Sequence, residues 1–276
     1  MKSRKGILFI LPGLMGVMVF YLIPFVDVVA RSFRQINGKF CGITNYQQVI
    51  ENKAFRLAVG NTLHFVLVCL PLLLGLSLVV AAMLQKSGNA AKLCKSNYLI
   101  PLAVPAAGVV LLWKLIFDSH GILNRLLTQL GQDAVDFMNT NAAFSVLVFS
   151  YIWKNLGYTV VLWSAGLSAI PEDIYEAAWM DGAGKLRAFV SITLPNLKQT
   201  AFTIVVISFL NSFKVFREAY LVAGNYPQES IYMLQHLFNN WFRELSMDKM
   251  AAAAVILFLV ILVFVYILHR SWEEEQ

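Results

Sequence analysis

Six stretches of the chain are apolar over about 20 residues, enough for a helix to cross the roughly 30 Å hydrocarbon core of a bilayer. They are Gly6–Val26, Leu63–Leu84, Tyr98–Phe117, Ala142–Ala169, Leu197–Val222 and Met250–Leu268. Each predicts a transmembrane α-helix, and together they predict an all-α, polytopic membrane protein. The first follows Lys2, Arg4 and Lys5, as a secretory signal would. Its apolar run is longer than a typical signal core and holds Pro12 and Pro24, so a retained helix is expected. The third carries Pro101 and Pro105, the fourth is interrupted by Lys154, and the fifth is uncharged only from Thr200 to Phe213. Neighbouring helices or water can satisfy the backbone groups that such prolines free.

The segments between the spans predict shorter elements. Thr44–Phe55 reads as a short helix after a turn at Gly42. Gly121–Leu130 sets Ile122, Leu123, Leu126, Leu127 and Leu130 on one face, as suits a helix lying on the membrane surface. Ser230–Phe242 is aromatic and apolar and suits packing beneath an external partner; a packed loop is the alternative for each. No internal repeat or linker interrupts the chain, so residues 1–276 read as one membrane domain.

Composition agrees. The chain is 58% hydrophobic and 14% charged, against roughly a quarter charged in a soluble domain. The pI of about 9.2 does not point to nucleic acid, because the basic residues stand in short clusters between apolar runs. Six spans put both termini on one side. Basic residues tie in number between the two sides. Their density decides: the segments with Lys2, Arg4, Lys5 and with Lys86, Lys92, Lys95 are short and free of carboxylates. The positive-inside rule therefore predicts cytoplasmic termini in a cell membrane. Cys41, Cys69 and Cys94 have neither disulfide nor metal spacing, and His64, His120, His236 and His269 are scattered. No catalytic constellation, metal site or cofactor is expected.

The inner loop 171–196 is the most informative segment. Pro171, Glu172 and Asp173 start a helix well, since proline suits the first turn and carboxylates favour the positive dipole end. Gly182 and Gly184 should stop it after about two and a half turns. Ile174, Ala177, Ala178 and Asp181 fall on one side, Tyr175 and Trp179 on another. A second helix is expected over Lys185–Leu194. The pair could transmit force from a partner, or simply cover the floor of the bundle. Gly182-Ala183-Gly184-Lys185 is not a phosphate loop, because Trp179 replaces the first glycine and Leu186 the Ser or Thr.

Glu176-Ala177-Ala178, three residues, Gly182, nine residues, Ile192, one residue and Leu194-Pro195 resemble the EAA loop of binding-protein-dependent ABC importer permeases. Tyr175, Asp181, Ala183 and Phe189 extend the resemblance to the carbohydrate branch that includes maltose, glycerol-phosphate and multiple-sugar permeases. So do Phe40-Cys41-Gly42, Asn45-Tyr46, Asn61-Thr62, Trp113, Asn124, Gly131 and Trp153-Lys154 with Gly157. Ala223-Gly224-Asn225-Tyr226-Pro227 departs from the branch, lacking its glycine pair before the proline.

The resemblance implies the type I permease fold and a chain that is not itself an enzyme. It implies a second permease subunit, cytoplasmic ATP-binding subunits and an extracytoplasmic solute-binding protein as partners. The ATP-binding subunits would grip Tyr175, Glu176, Ala177, Ala178, Asp181, Gly182 and Ala183. The cargo would be a sugar or oligosaccharide.

Ser208, Asn211, Ser212 and Val215 form one polar-leaning face of span five, and Trp153, Asn155, Gly157 and Tyr158 cluster in span four. Polar groups at membrane depth should face a cavity or a partner helix. Aromatic rings beside hydrogen-bonding groups suit a sugar. The resemblance places Trp153, Tyr158, Ser208, Asn211 and Ser212 on the sugar path; helix–helix packing is the other reading. Lys154 could meet an acidic substrate, neighbouring carbonyls or the subunit interface, which keeps phosphorylated or acidic solutes open. An ion-coupled secondary transporter would also span six times, but would usually show two similar halves.

Overall fold

The computed structural model describes residues 2–85 and 98–273. The basic segment with Lys86, Lys92 and Lys95, Cys94, and the last C-terminal residues lie outside the described residues. Among the described residues, six helical segments are long and apolar enough to cross a membrane: Ile10–Ser32, Lys53–Gln85, Ala106–Gln129, Ala142–Ser168, Lys198–Ala223 and Met247–Leu268. Among the described residues, backbone pairing outside helices and turns is one antiparallel bridge, Arg34 to Phe40. The chain divides into two compact units, residues 1–56 with 237–267, and residues 57–236 with 268–276.

In the first unit, α1 (Lys2–Val17) continues through a π-helical turn at Met18–Leu22 into α2 (Ile23–Ser32). The wide turn has a cause in the sequence. Pro24 has no N–H, and its ring would press on the carbonyl four residues back. Asp27 accepts from Arg31 at 2.6 Å, an exposed pair one turn apart that carries the helix past the expected end at Val26. After Gly42, at φ +58°, comes α3 (Thr44–Glu51). Asn45 donates to the Ser32 and Arg34 carbonyls at 3.0 and 2.9 Å, and Tyr46 meets the Ser32 hydroxyl at 2.7 Å. The Asn45-Tyr46 pair thus closes the end of α2. The helix α14 (Leu234–Arg243) precedes α15 (Met247–Glu273), in which Phe258 packs on Phe25 at 4.8 Å.

The second unit is built on α4 (Lys53–Gln85) and α8 (Ala142–Ser168). The Asn52 side chain accepts the Phe55 N–H at 3.1 Å, an N-cap that begins α4 ten residues before the apolar run. Phe65, Cys69 and Leu73 of α4 meet Val146, Leu147 and Tyr151 of α8 in one core, joined by Val109 and Trp113. Ala81 and Leu84 join Val160, Trp163 and Leu167 in a second, with Leu197 and Ile204. Between the cores the Trp163 indole donates to Ser77 at 3.0 Å. Asn61 donates to the Glu229 and Tyr232 carbonyls, while Thr62 accepts the Leu234 N–H at 3.1 Å.

The third apolar stretch departs from expectation. It is not one helix over Tyr98–Phe117 but α5 (Ile100–Ala103) and α6 (Ala106–Phe117), separated at Val104–Pro105. Val104 is extended, at ψ 122°, because the Pro105 ring excludes the helical conformation from the preceding residue. The expected surface helix is α7 (Ile122–Gln129), ended by Gly131 at φ +76°. Asn124 fastens it by bonds to Asp118 and Val135.

Candidate functional site

Two regions of the second unit hold the residues singled out in the sequence. The first is the helix pair of residues 171–196. Pro171, at ψ 140°, stands before α9 (Glu172–Met180), with Glu172 and Asp173 in its first turn. The helix ends where the Ala183 N–H reaches the Ala178 carbonyl at 2.9 Å and the Gly182 N–H reaches Trp179 at 3.0 Å. This double bond pattern demands a left-handed residue, and Gly182 supplies it at φ +77°. Gly184 has another role than expected: extended at ψ 162°, it starts the next helix and does not stop the previous one.

The expected single helix over Lys185–Leu194 is α10 (Lys185–Ala188), a π-helical turn at Phe189–Thr193 and α11 (Leu194–Asn196). As before Pro24, the wide turn comes just ahead of a proline, Pro195. Tyr175 meets the Thr193 hydroxyl at 2.8 Å and holds α9 against that turn. No residue of α9 is buried. Glu176, Ala177, Asp181 and Gly182 are exposed, Ala178 and Ala183 half-buried, and a Cβ on Gly182 would meet only open space. Around them Trp179, Met180 and Leu186 are 53%, 88% and 78% exposed. A helix pair that only covered the bundle floor would turn such side chains inward.

The second region is a cavity of about 300 Å³. One wall is the α5–α6 break, Leu102–Ala106. Another is the middle of α8, with Ser150, Tyr151, Lys154 and Asn155. The third is the junction of α12 (Lys198–Ser212) and α13 (Phe216–Ala223), with Asn211, Lys214, Val215, Arg217 and Glu218. Lys154 donates to Glu218 at 2.5 Å, with side chains 25% and 5% exposed. The sequence offered Lys154 a substrate, carbonyls or a subunit interface; its partner is a carboxylate of the same chain. Two such charges are tolerable at membrane depth because each neutralises the other.

The five expected path residues separate. Asn211 lines the cavity and accepts from Lys214 at 2.7 Å. Tyr158 and Ser208 are brought together at 2.8 Å, and the Ser208 carbonyl accepts from Tyr151 at 2.5 Å. Ser208 is fully buried. Ser212 is buried and bonds to its own helix, at the Phe209 carbonyl, 2.6 Å away. Trp153 packs half-buried against the first core and is not among the cavity residues. The cavity residues the sequence reading missed are Tyr151, Lys214, Arg217 and Glu218. Three charges within five residues at the end of an apolar run were the signal available.

Two histidines pack against aromatic or backbone neighbours, while His120 is exposed beside Ser119 and Asp118. His64 stacks on Phe144 at 4.6 Å. Burial pushes the His236 imidazole down to about 4, so its Nδ1 accepts the Met233 N–H at 3.1 Å as a neutral ring. Among the described residues no three His, Cys, Asp or Glu side chains group as metal ligands.

The family model described as binding-protein-dependent transport system inner membrane component matches residues 74–273. The trehalose/maltose transport system permease protein MalF of Thermococcus litoralis is 30% identical over 270 residues, 95% of this chain and 92% of that protein. The arabinooligosaccharides transport system permease protein AraP of Bacillus subtilis is 29% identical over 95% of this chain and 86% of its own. Among solved structures, a chain of the bacterial alginate ABC transporter, in complex with alginate pentasaccharide-bound periplasmic protein, superposes with a TM-score of 0.81. It is 22% identical and covers 96% of this chain and 93% of that one, a likeness of fold.

Proposed function

The chain belongs to the family of binding-protein-dependent transport system inner membrane components, and from that membership we propose that it is one permease subunit of an ATP-driven sugar importer. An extracytoplasmic solute-binding protein delivers a sugar or oligosaccharide. The cargo crosses between this chain and a second permease subunit. Cytoplasmic ATP-binding subunits seat α9 and drive the cycle. Both termini and residues 171–196 are cytoplasmic in this reading, Cys41 faces outward, and residues 1–276 act as a single permease domain. The chain binds no nucleotide itself, since residues 179–186 lack a phosphate loop.

The observation that carries the reading is α9. It is a short helix with nothing buried, ended at a left-handed glycine, with small residues on its open face. Such a face offers backbone-close approach to a partner and no reason to exist without one. The sugar rests on the names of the MalF and AraP relatives and on the cavity, where Asn211 and Tyr151 supply polar and aromatic groups. An ion-coupled carrier would not require a docking helix.

The test is a cysteine cross-link. Ala177→Cys in the assembled complex should form a disulfide with a cysteine placed in the cleft of the ATP-binding subunit, and the yield should change with ATP. A chain that purifies without any nucleotide-binding partner, and forms no cross-link, would sink the coupling assignment.

A further inference from the structure

The cavity carries more charge than a neutral cargo needs. Its walls hold three cations, Lys154, Lys214 and Arg217, and one carboxylate, Glu218. Lys154 and Glu218 neutralise one another at 2.5 Å. Lys214 is held by the Asn211 side-chain oxygen at 2.7 Å, a neutral acceptor that positions the ammonium without cancelling its charge. Arg217 is exposed, and the one carboxylate of the walls is already engaged by Lys154. Two positive charges therefore remain on one wall, three residues apart on a segment long and apolar enough to span the membrane. Both are exposed and follow directly on the uncharged run Thr200–Phe213, where a charge is kept if it meets a counter-charge or water.

We infer that the cargo is anionic: a saccharide bearing a carboxylate, phosphate or sulfonate, whose acidic group is received by Lys214 and Arg217 while Asn211 faces its hydroxylated part. The inference rests on the reading of the cavity as the cargo path. Its chemistry is direct. A guanidinium and an ammonium give charge-assisted bonds to an oxyanion, roughly twice as strong as those to a neutral hydroxyl. The Glu218 carboxylate of the same wall is neutralised by Lys154, so it does not cancel the charges of Lys214 and Arg217.

The test begins with the cognate solute-binding protein, titrated with matched saccharides that differ only in bearing a glucose, a glucuronate, a 6-phosphate or a 6-sulfonate. The preferred cargo is then followed into proteoliposomes holding the complete transporter. An acidic cargo is expected, and which acid is preferred separates carboxylate from phosphate and sulfonate. With Lys214→Gln and Arg217→Gln combined, KM for uptake should rise about tenfold or more, as for the loss of a charged hydrogen bond. The charge-keeping pair Lys214→Arg and Arg217→Lys should retain most of the uptake, which separates charge from folding. A neutral preferred cargo overturns the inference, and so does acidic uptake unaltered by the double Gln variant. Neutral uptake that still needs ATP and the binding protein would leave the permease reading standing; uptake indifferent to both would remove that reading itself.

Discussion

Helix α9 and the membrane cavity solve opposite physical problems. The helix buries none of its residues, and Tyr175 holds it to Thr193, 18 residues away in sequence. The cavity is assembled from three segments, Leu102–Ala106, Ser150–Asn155 and Asn211–Glu218, and its central bond joins residues 64 apart. One surface is left open to solvent along a short helix. The other is shaped to hold charge away from lipid. The difference teaches where each kind of information is stored: docking in a local motif, cargo chemistry in tertiary packing.

The largest effect should come from the docking surface. Gly182→Leu places a branched side chain at φ +77° in space that is otherwise open. The strain of a left-handed residue is only about 1–2 kcal/mol, too little to unfold the bundle. The obstruction of the partner should nevertheless abolish uptake and cargo-stimulated ATP hydrolysis. Gly182→Asn, which tolerates the same backbone with a smaller side chain, should be the milder change. Equal, wild-type uptake from both variants would break the comparison on the α9 side.

On the cavity side the largest effect is on stability. Glu218→Gln leaves the Lys154 ammonium mostly buried without a counter-charge, at a cost of about 3–5 kcal/mol. Thermal unfolding in detergent should drop accordingly, and pairing it with Lys154→Met should restore most of the loss. If the single and double variants melt alike, the ion pair is not what holds α8 to α13.

A smaller, pH-dependent effect belongs to His236. Its folded value, near 4, lies below the ordinary 6.5, so between these the unfolded chain takes up a proton that the folded chain refuses. Stability should therefore fall as pH drops through that window, by about 3 kcal/mol at its acid end. His236→Gln should remove that part of the slope. An unchanged profile would mean that other groups carry the acid sensitivity.

The spans were legible because about 20 apolar residues admit few alternatives, and α9 because its start and stop signals are contiguous. The break at Val104–Pro105 was written in Pro105, yet prolines are tolerated inside other helices here, as Pro12 and Pro71 show. Only the surroundings decide between a kink and a break. The π turns before Pro24 and Pro195 follow from proline chemistry, but nothing local distinguishes them from ordinary turns. Lys154 was visible as an intruder in an apolar run. Its partner was not, since no periodicity links α8 to a residue 64 positions later. That Asn211 alone of the five expected path residues lines the cavity was hidden for the same reason. Which face of a helix meets a cavity is set by the helices beside it.

The central claim, that this chain couples ATP hydrolysis on a partner to passage of a sugar, is tested most directly by uptake. Proteoliposomes should hold this chain, the second permease and the ATP-binding subunits, with the loaded solute-binding protein outside and ATP inside. Uptake should require every component, and should stop when the ATP-binding subunits are made unable to hydrolyse ATP. Accumulation that continues without them, driven by an ion gradient, would contradict the account.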